Sequence, residues 1–162
     1  FYLLEHGYCD AEAIDLAVKA SFIPRACVLG LCKRMDFGGV EVENVLKAVD
    51  ASGNELGFVV TSLSNDSYGG VVKLSVGLKD DGTITGIEFL EINDTPGLGL
   101  KAKEPAFKDQ FTGKNAQSLS VTKSGNADDT QINAISGATI TSNATTNAVN
   151  AALYYLHNCV NE

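Results

Sequence analysis

Near the C-terminus, Ser136-Gly137-Ala138-Thr139-Ile140-Thr141-Ser142 sets hydroxyl groups among small side chains just ahead of a helix-forming run. Unpaired backbone N–H groups at a helix start, together with the positive end of the helix dipole, make such a loop receptive to phosphate. Ser142 or Thr141 offers a side-chain oxygen suited to capping the helix, although Thr145 at the third helical position gives no capping box. On spacing alone a purely structural loop is the better reading, because the stretch matches no phosphate fingerprint such as the P-loop.

The remaining reactive side chains point to little. His6 and His157 stand at opposite ends of the chain with no Ser-His-Asp order, so no catalytic residue is nominated and hydrolysis is not expected. Cys27 and Cys32 form a C-x4-C pair without a second pair, which does not suit zinc or an iron–sulfur cluster, and no metal is expected. These two read as buried small hydrophobes and Cys159 as a structural residue of the last helix. With Cys9 they would permit a disulfide in an oxidising compartment without fixing its pairing. Asp128-Asp129 could meet a cation, but the flanking KSGNADDT run reads as a solvated loop.

With 162 residues, 44% of them hydrophobic, the chain can bury one good core. Its net charge of −8 leaves no basic stripe for nucleic acid and disfavours anionic membrane surfaces. No apolar run reaches the roughly 18 residues that a bilayer span needs; the best candidate, Phe22 to Cys32, is too short and contains Arg25. That segment also lacks the form of a signal peptide or a lipoprotein site.

Several elements must position the hydroxyl-rich loop. Residues 1–35 form a segment of uncertain role, with helical character from Asp10 to Ala20 that Pro24 ends. Residues 36–162 form the main domain. Val40 to Val49 and Leu56 to Leu63 read as a hairpin around the Asp50-Ala51-Ser52-Gly53-Asn54 turn. After a break at Asn65 to Gly70, Val72, Leu74, Val76 and Leu78 alternate with polar residues, Asp80-Asp81-Gly82 turns, and Ile84 to Ile92 returns. Val149, Leu153 and Leu156 give the last helix one apolar face. The expected class is α+β: an antiparallel meander sheet covered by the C-terminal helix, with an additional N-terminal helical segment. A polar insert between Thr112 and Thr130 holds one short strand around Leu119 and Val121.

Three loops together resemble the FMN-binding domain family, found in the G subunit of Rnf-type electron transport complexes and the C subunit of sodium-pumping NADH:quinone reductases. Ile135 to Ala144 resembles its S/T-G-A-T flavinylation motif. Tyr68-Gly69-Gly70 resembles its G-Y-G-G loop, with Ser67 for the first Gly, and Asp94-Thr95-Pro96-Gly97-Leu98-Gly99 its E-T-P-G-L-G loop, with Asp94 for Glu. Asn133 stands where the family usually has Asp, and the likeness continues through Lys101 to Phe111. It runs from about Val40 to Leu156.

The resemblance implies FMN joined through a phosphoester to Thr139, installed by a flavin transferase that uses FAD as donor. It places Ser136, Gly137, Ala138, Thr141 and Ser142 around the phosphate. The implied cofactor contacts are Thr95, Pro96, Gly97, Leu98 and Gly99, with Leu98 on the ring face, together with Gly69 and with Tyr68 either stacking on the ring or lining its edge. Lys101 and Lys103 either offset the diester charge or are solvated. The implied function is an electron carrier without substrate chemistry of its own, working with other subunits of a membrane complex. Its expected place is the extracytoplasmic face of the membrane, where the family has an anchoring N-terminal helix that this chain lacks. The alternatives are a free-standing extracytoplasmic FMN shuttle and an unmodified, non-redox scaffold domain of the same fold.

Overall fold

The structure is a computed structural model and describes residues 39–160. The N-terminal segment, its expected helix, and Cys9, Cys27 and Cys32 lie outside the described residues.

Four strands follow one another and pair in sequence order: β1 (Val40–Val49), β2 (Glu55–Ser67), β3 (Gly70–Leu78) and β4 (Ile84–Ile92), all antiparallel. The alternation of β3 is the clearest case of sequence setting a face, since Val72, Leu74, Val76 and Leu78 are all buried and their polar neighbours half-buried. In the β1–β2 turn the Asp50 carboxylate accepts the N–H groups of Ser52 and Asn54, both at 2.8 Å. The break expected at Asn65 comes later. β2 continues through Ser67 because the Asn65 N–H bonds the carbonyl of Gly39 at 2.8 Å and Ser67 still pairs with Gly70.

The chain then makes a 3-10 turn at Gly99–Lys103 and a one-turn helix α1 (Pro105–Lys108). Phe107 and Phe111 anchor this stretch in the core, edge to face with centroids 5.5 Å apart. Two short parallel strands, β5 (Ser120–Thr122) and β6 (Gln131–Asn133), lead to the closing helix.

That helix, α2 (Thr139–Tyr155), lies across the inner face of the meander and packs chiefly on β2, with β1 and β3 beside it. Its buried side is small: Ala144, Ala148, Ala151 and Ala152 surround Val149 and Leu153, so the helix backbone comes close to the sheet. Ser62 of β2 exploits that approach by donating its hydroxyl to the Ala148 carbonyl at 2.8 Å. Asn150 ties in β5 by accepting the Leu119 N–H and donating to the Leu119 carbonyl. Leu156 is buried in the closing turn, completing the expected apolar face, and Cys159 beyond it is half-buried.

The helix begins earlier than its hydroxyls suggest. Its cap position is Ala138, which has no side-chain oxygen to offer, so neither Ser142 nor Thr141 is the cap. Gly137, at φ +79°, turns the chain sharply enough to start the helix at Thr139. Ser142 then falls inside the first turn, where its hydroxyl donates to the Ala138 carbonyl (2.9 Å) and accepts the Ile135 N–H (3.0 Å).

A candidate flavin groove

Where β2 turns into β3, where β4 ends, and where α2 starts, three loops meet around an open groove of about 450 Å³. Tyr68 comes from the first loop; Thr95, Leu98 and Gly99 come from the second. Gly137, Ala138, Thr139 and Thr141 come from the third. The remaining sequence-expected residues sit just behind: Pro96, Gly97 and Ser136 are exposed outside the groove, Gly69 abuts the Asn93 carbonyl, and Ser142 is buried with its hydroxyl engaged. Lys101 and Lys103 are exposed and do not line the groove.

The hydroxyls of α2 divide into two kinds. Thr145 and Thr146 donate back to the carbonyls of Thr141 and Ser142, each at 2.9 Å, and Ser142 and Thr141 are likewise engaged. Thr139 is half-buried on the groove, and its hydroxyl finds no hydrogen-bond partner among the described residues. It also occupies the first position of a 17-residue helix whose cap provides no side-chain hydrogen bond, so first-turn N–H groups are left for a ligand.

Two glycines open the walls. A Cβ on Gly137 would stand 3.0 Å from Leu98 Cδ2, so Leu98 packs directly over the glycine. A Cβ on Gly99 would overlap the Asp94 carboxylate, which therefore lies against bare backbone.

Asp94 and Ile140 also line the groove, and neither stands out in the sequence as a site residue. Asp94 Oδ2 accepts the Thr141 hydroxyl at 2.5 Å and the Ser67 hydroxyl at 3.0 Å, while Oδ1 accepts the Thr95 N–H at 2.6 Å. Partial burial pushes its pKa up, but the donors outweigh that: Thr141 first, then the Thr95 N–H, Ser67 and the Gly69 N–H. The carboxyl is thus held below its ordinary value. One side chain thereby joins all three loops. The only sequence signal for it is an acidic residue beside the Thr-Pro-Gly turn; its partner Thr141 is 47 residues away.

Asn133, at the end of β6, is fastened by Gln110, whose side chain accepts the Asn133 N–H at 2.8 Å. Its own Oδ1 is buried without a hydrogen-bond partner among the described residues. Asp128 accepts the N–H and hydroxyl of Thr130 at 2.8 and 2.7 Å, a local loop arrangement. Among the described residues no helix is long and apolar enough to cross a membrane.

FMN suits this groove: an uncommitted hydroxyl at an uncapped helix start can face its phosphate, and glycine-floored walls beside Leu98 and Tyr68 can admit a planar ring.

Comparison with known proteins agrees with this arrangement. The chain is 39% identical over 172 residues to the G subunit of the Na(+)-translocating ferredoxin:NAD(+) oxidoreductase complex of Acetobacterium woodii, covering 94% of this chain and 82% of that protein. It is 37% identical over 123 residues to the G subunit of the ion-translocating oxidoreductase complex of Methanosarcina acetivorans, covering 75% of this chain and 63% of that one. The crystal structure of Shewanella oneidensis NqrC has the same fold, with a TM-score of 0.58 at 22% identity over 73% of this chain and 61% of that one. The model of the FMN-binding domain matches residues 67–154, from just before the Tyr68 turn almost to the end of α2. All three loops of the groove fall within that match, and the chain belongs to the FMN-binding domain family.

Proposed function

We propose that this chain is the FMN-carrying subunit of a membrane-bound, ion-translocating oxidoreductase complex, with FMN held as a phosphoester on Thr139. The observation that carries this reading is the Thr139 hydroxyl, which stands uncommitted on the groove while the other hydroxyls of the same helix are engaged. Family membership and the relatives named as G subunits support the wider role.

In the maturation step a flavin transferase brings FAD. A bond forms between Thr139 Oγ1 and the flavin-side phosphorus as the diphosphate P–O bond breaks, and AMP departs with the hydroxyl proton balancing the charge. Bound FMN supplies reversible electron storage; the residues of this chain bind it, orient it and shape its surroundings. Gly137 and Ala138 give the phosphate access to the helix start. Tyr68, Thr95, Leu98 and Gly99 line the space for the ring. We place the domain on the extracytoplasmic face, where free FMN is scarce and a covalent bond retains the carrier that reversible binding would lose.

The test is co-expression with an active flavin transferase, followed by intact mass and in-gel flavin fluorescence after denaturation. The expected result is one FMN-sized mass increment and a fluorescent band, both absent in Thr139→Ala. An unmodified wild-type chain, alongside a control protein that the same transferase does modify, overturns the reading in favour of a non-redox domain.

A further inference from the structure

Among the described residues Asp94 is the one carboxylate lining the groove, and three features of its setting go beyond a structural role. It is fixed: hydroxyls from β2 and α2 and the N–H of Thr95 converge on its two oxygens. It lies flush with the wall, against the bare Cα of Gly99. It is also not neutralised. The ion pairs among the described residues join Lys47 to Glu55, Lys73 to Glu43 and Lys108 to Glu88, and every group that meets Asp94 is a neutral donor. A neutral amide could also hold the three loops, its oxygen accepting the Thr95 N–H and its NH2 meeting the Thr141 and Ser67 hydroxyls, which accept as well as donate. A carboxylate adds a full negative charge at a set position.

We propose that Asp94 acts on the flavin held in this groove as a fixed anion that holds its reduction potential down. This rests on the reading that the groove holds FMN. Each electron accepted by the ring adds negative charge beside the carboxylate, and that repulsion favours the oxidised form. A ring seated in the groove also displaces water from the Asp94 wall, so the repulsion is screened less than at an open surface. Asp94 is in this sense a positioning residue for charge as well as for the loops.

The test is potentiometric titration of transferase-loaded wild type, Asp94→Asn and Asp94→Glu, with flavin loading read independently by intact mass. Asp94→Asn removes the charge while the latch can persist: the amide oxygen accepts the Thr95 N–H, and the amide NH2 donates to the Thr141 and Ser67 hydroxyls, which accept as well as donate. The expected result is at least a tenfold shift of the equilibrium toward the reduced form, equivalent to about 59 mV upward for a one-electron step. Asp94→Glu, which keeps the charge, should stay within about threefold of wild type. A loaded Asp94→Asn protein with an unchanged potential overturns this inference and leaves the FMN reading intact. A wild-type chain that never acquires FMN overturns both. Should Asp94→Asn fail to fold, Asp94→Glu and Asp94→Gln make the same charge comparison on the longer side chain that the family motif has at this position, and equal potentials in that pair overturn the inference.

Discussion

Thr141 Oγ1 lies 2.5 Å from Asp94 Oδ2, while Thr139, two residues earlier on the same helix, keeps its hydroxyl unbonded on the groove. Two threonines of one motif are thus separated by chemistry: one hydroxyl is engaged as a structural donor and the other is left uncommitted on the groove. Thr139→Ser should still accept FMN and Thr139→Val should not, with intact mass as the readout. Because Thr139 is half-buried at a helix end, either change should cost no more than about 1 kcal/mol in a urea melt.

Acid should act through Asp94. Its carboxyl is held below the ordinary value of 3.8 in the folded protein, so the folded state prefers the ionised form. That contribution to stability is complete above the unfolded value and is lost as pH falls through the lower folded value. Melting temperatures followed from about pH 5 to about pH 2.5 should fall less steeply for Asp94→Asn than for wild type. An identical acid limb in both proteins would show that the groove latch contributes nothing to this dependence.

Gly137→Ala tests the floor of the groove. The new methyl must tolerate φ +79° and press on Leu98 Cδ2 from 3.0 Å. A cost of about 1–2 kcal/mol is expected from the backbone alone. The displaced Leu98 should also slow flavin loading, seen as a smaller modified fraction at early times in a transferase assay. By contrast Gly97→Ala, with a similar φ of +77° and open space around it, should show the stability loss with near-normal loading.

Leu153→Ala should destabilise the domain by about 2–5 kcal/mol in chemical denaturation, because Leu153 is fully buried between α2 and the sheet. Ser62→Ala should cost about 1 kcal/mol by leaving the Ala148 carbonyl without its side-chain donor.

The meander and its covering helix are legible in sequence because their information is local. Alternation along β3 and the Val149, Leu153, Leu156 spacing state which side is buried before any contact is known. The motif loops are legible through the family resemblance, whereas their spacing by itself favours an ordinary turn. The start of α2 is misleading because Ser142 and Thr141 look like caps, and the Gly137 turn decides otherwise. The 3-10 turn and α1 leave little trace because elements this short follow the burial of Phe107 and Phe111 more than their own periodicity. The Asp94–Thr141 bond, spanning 47 residues, has no local signature at all.

The sheet is complete at Ile92, yet the helix that covers it begins only at Thr139. A ribosome delivering about 5–20 residues per second therefore exposes a finished apolar surface of Val60, Leu74 and Val76 for seconds before its lid emerges. A nascent chain at that stage, like any chain cut short before α2, carries this apolar face without its cover.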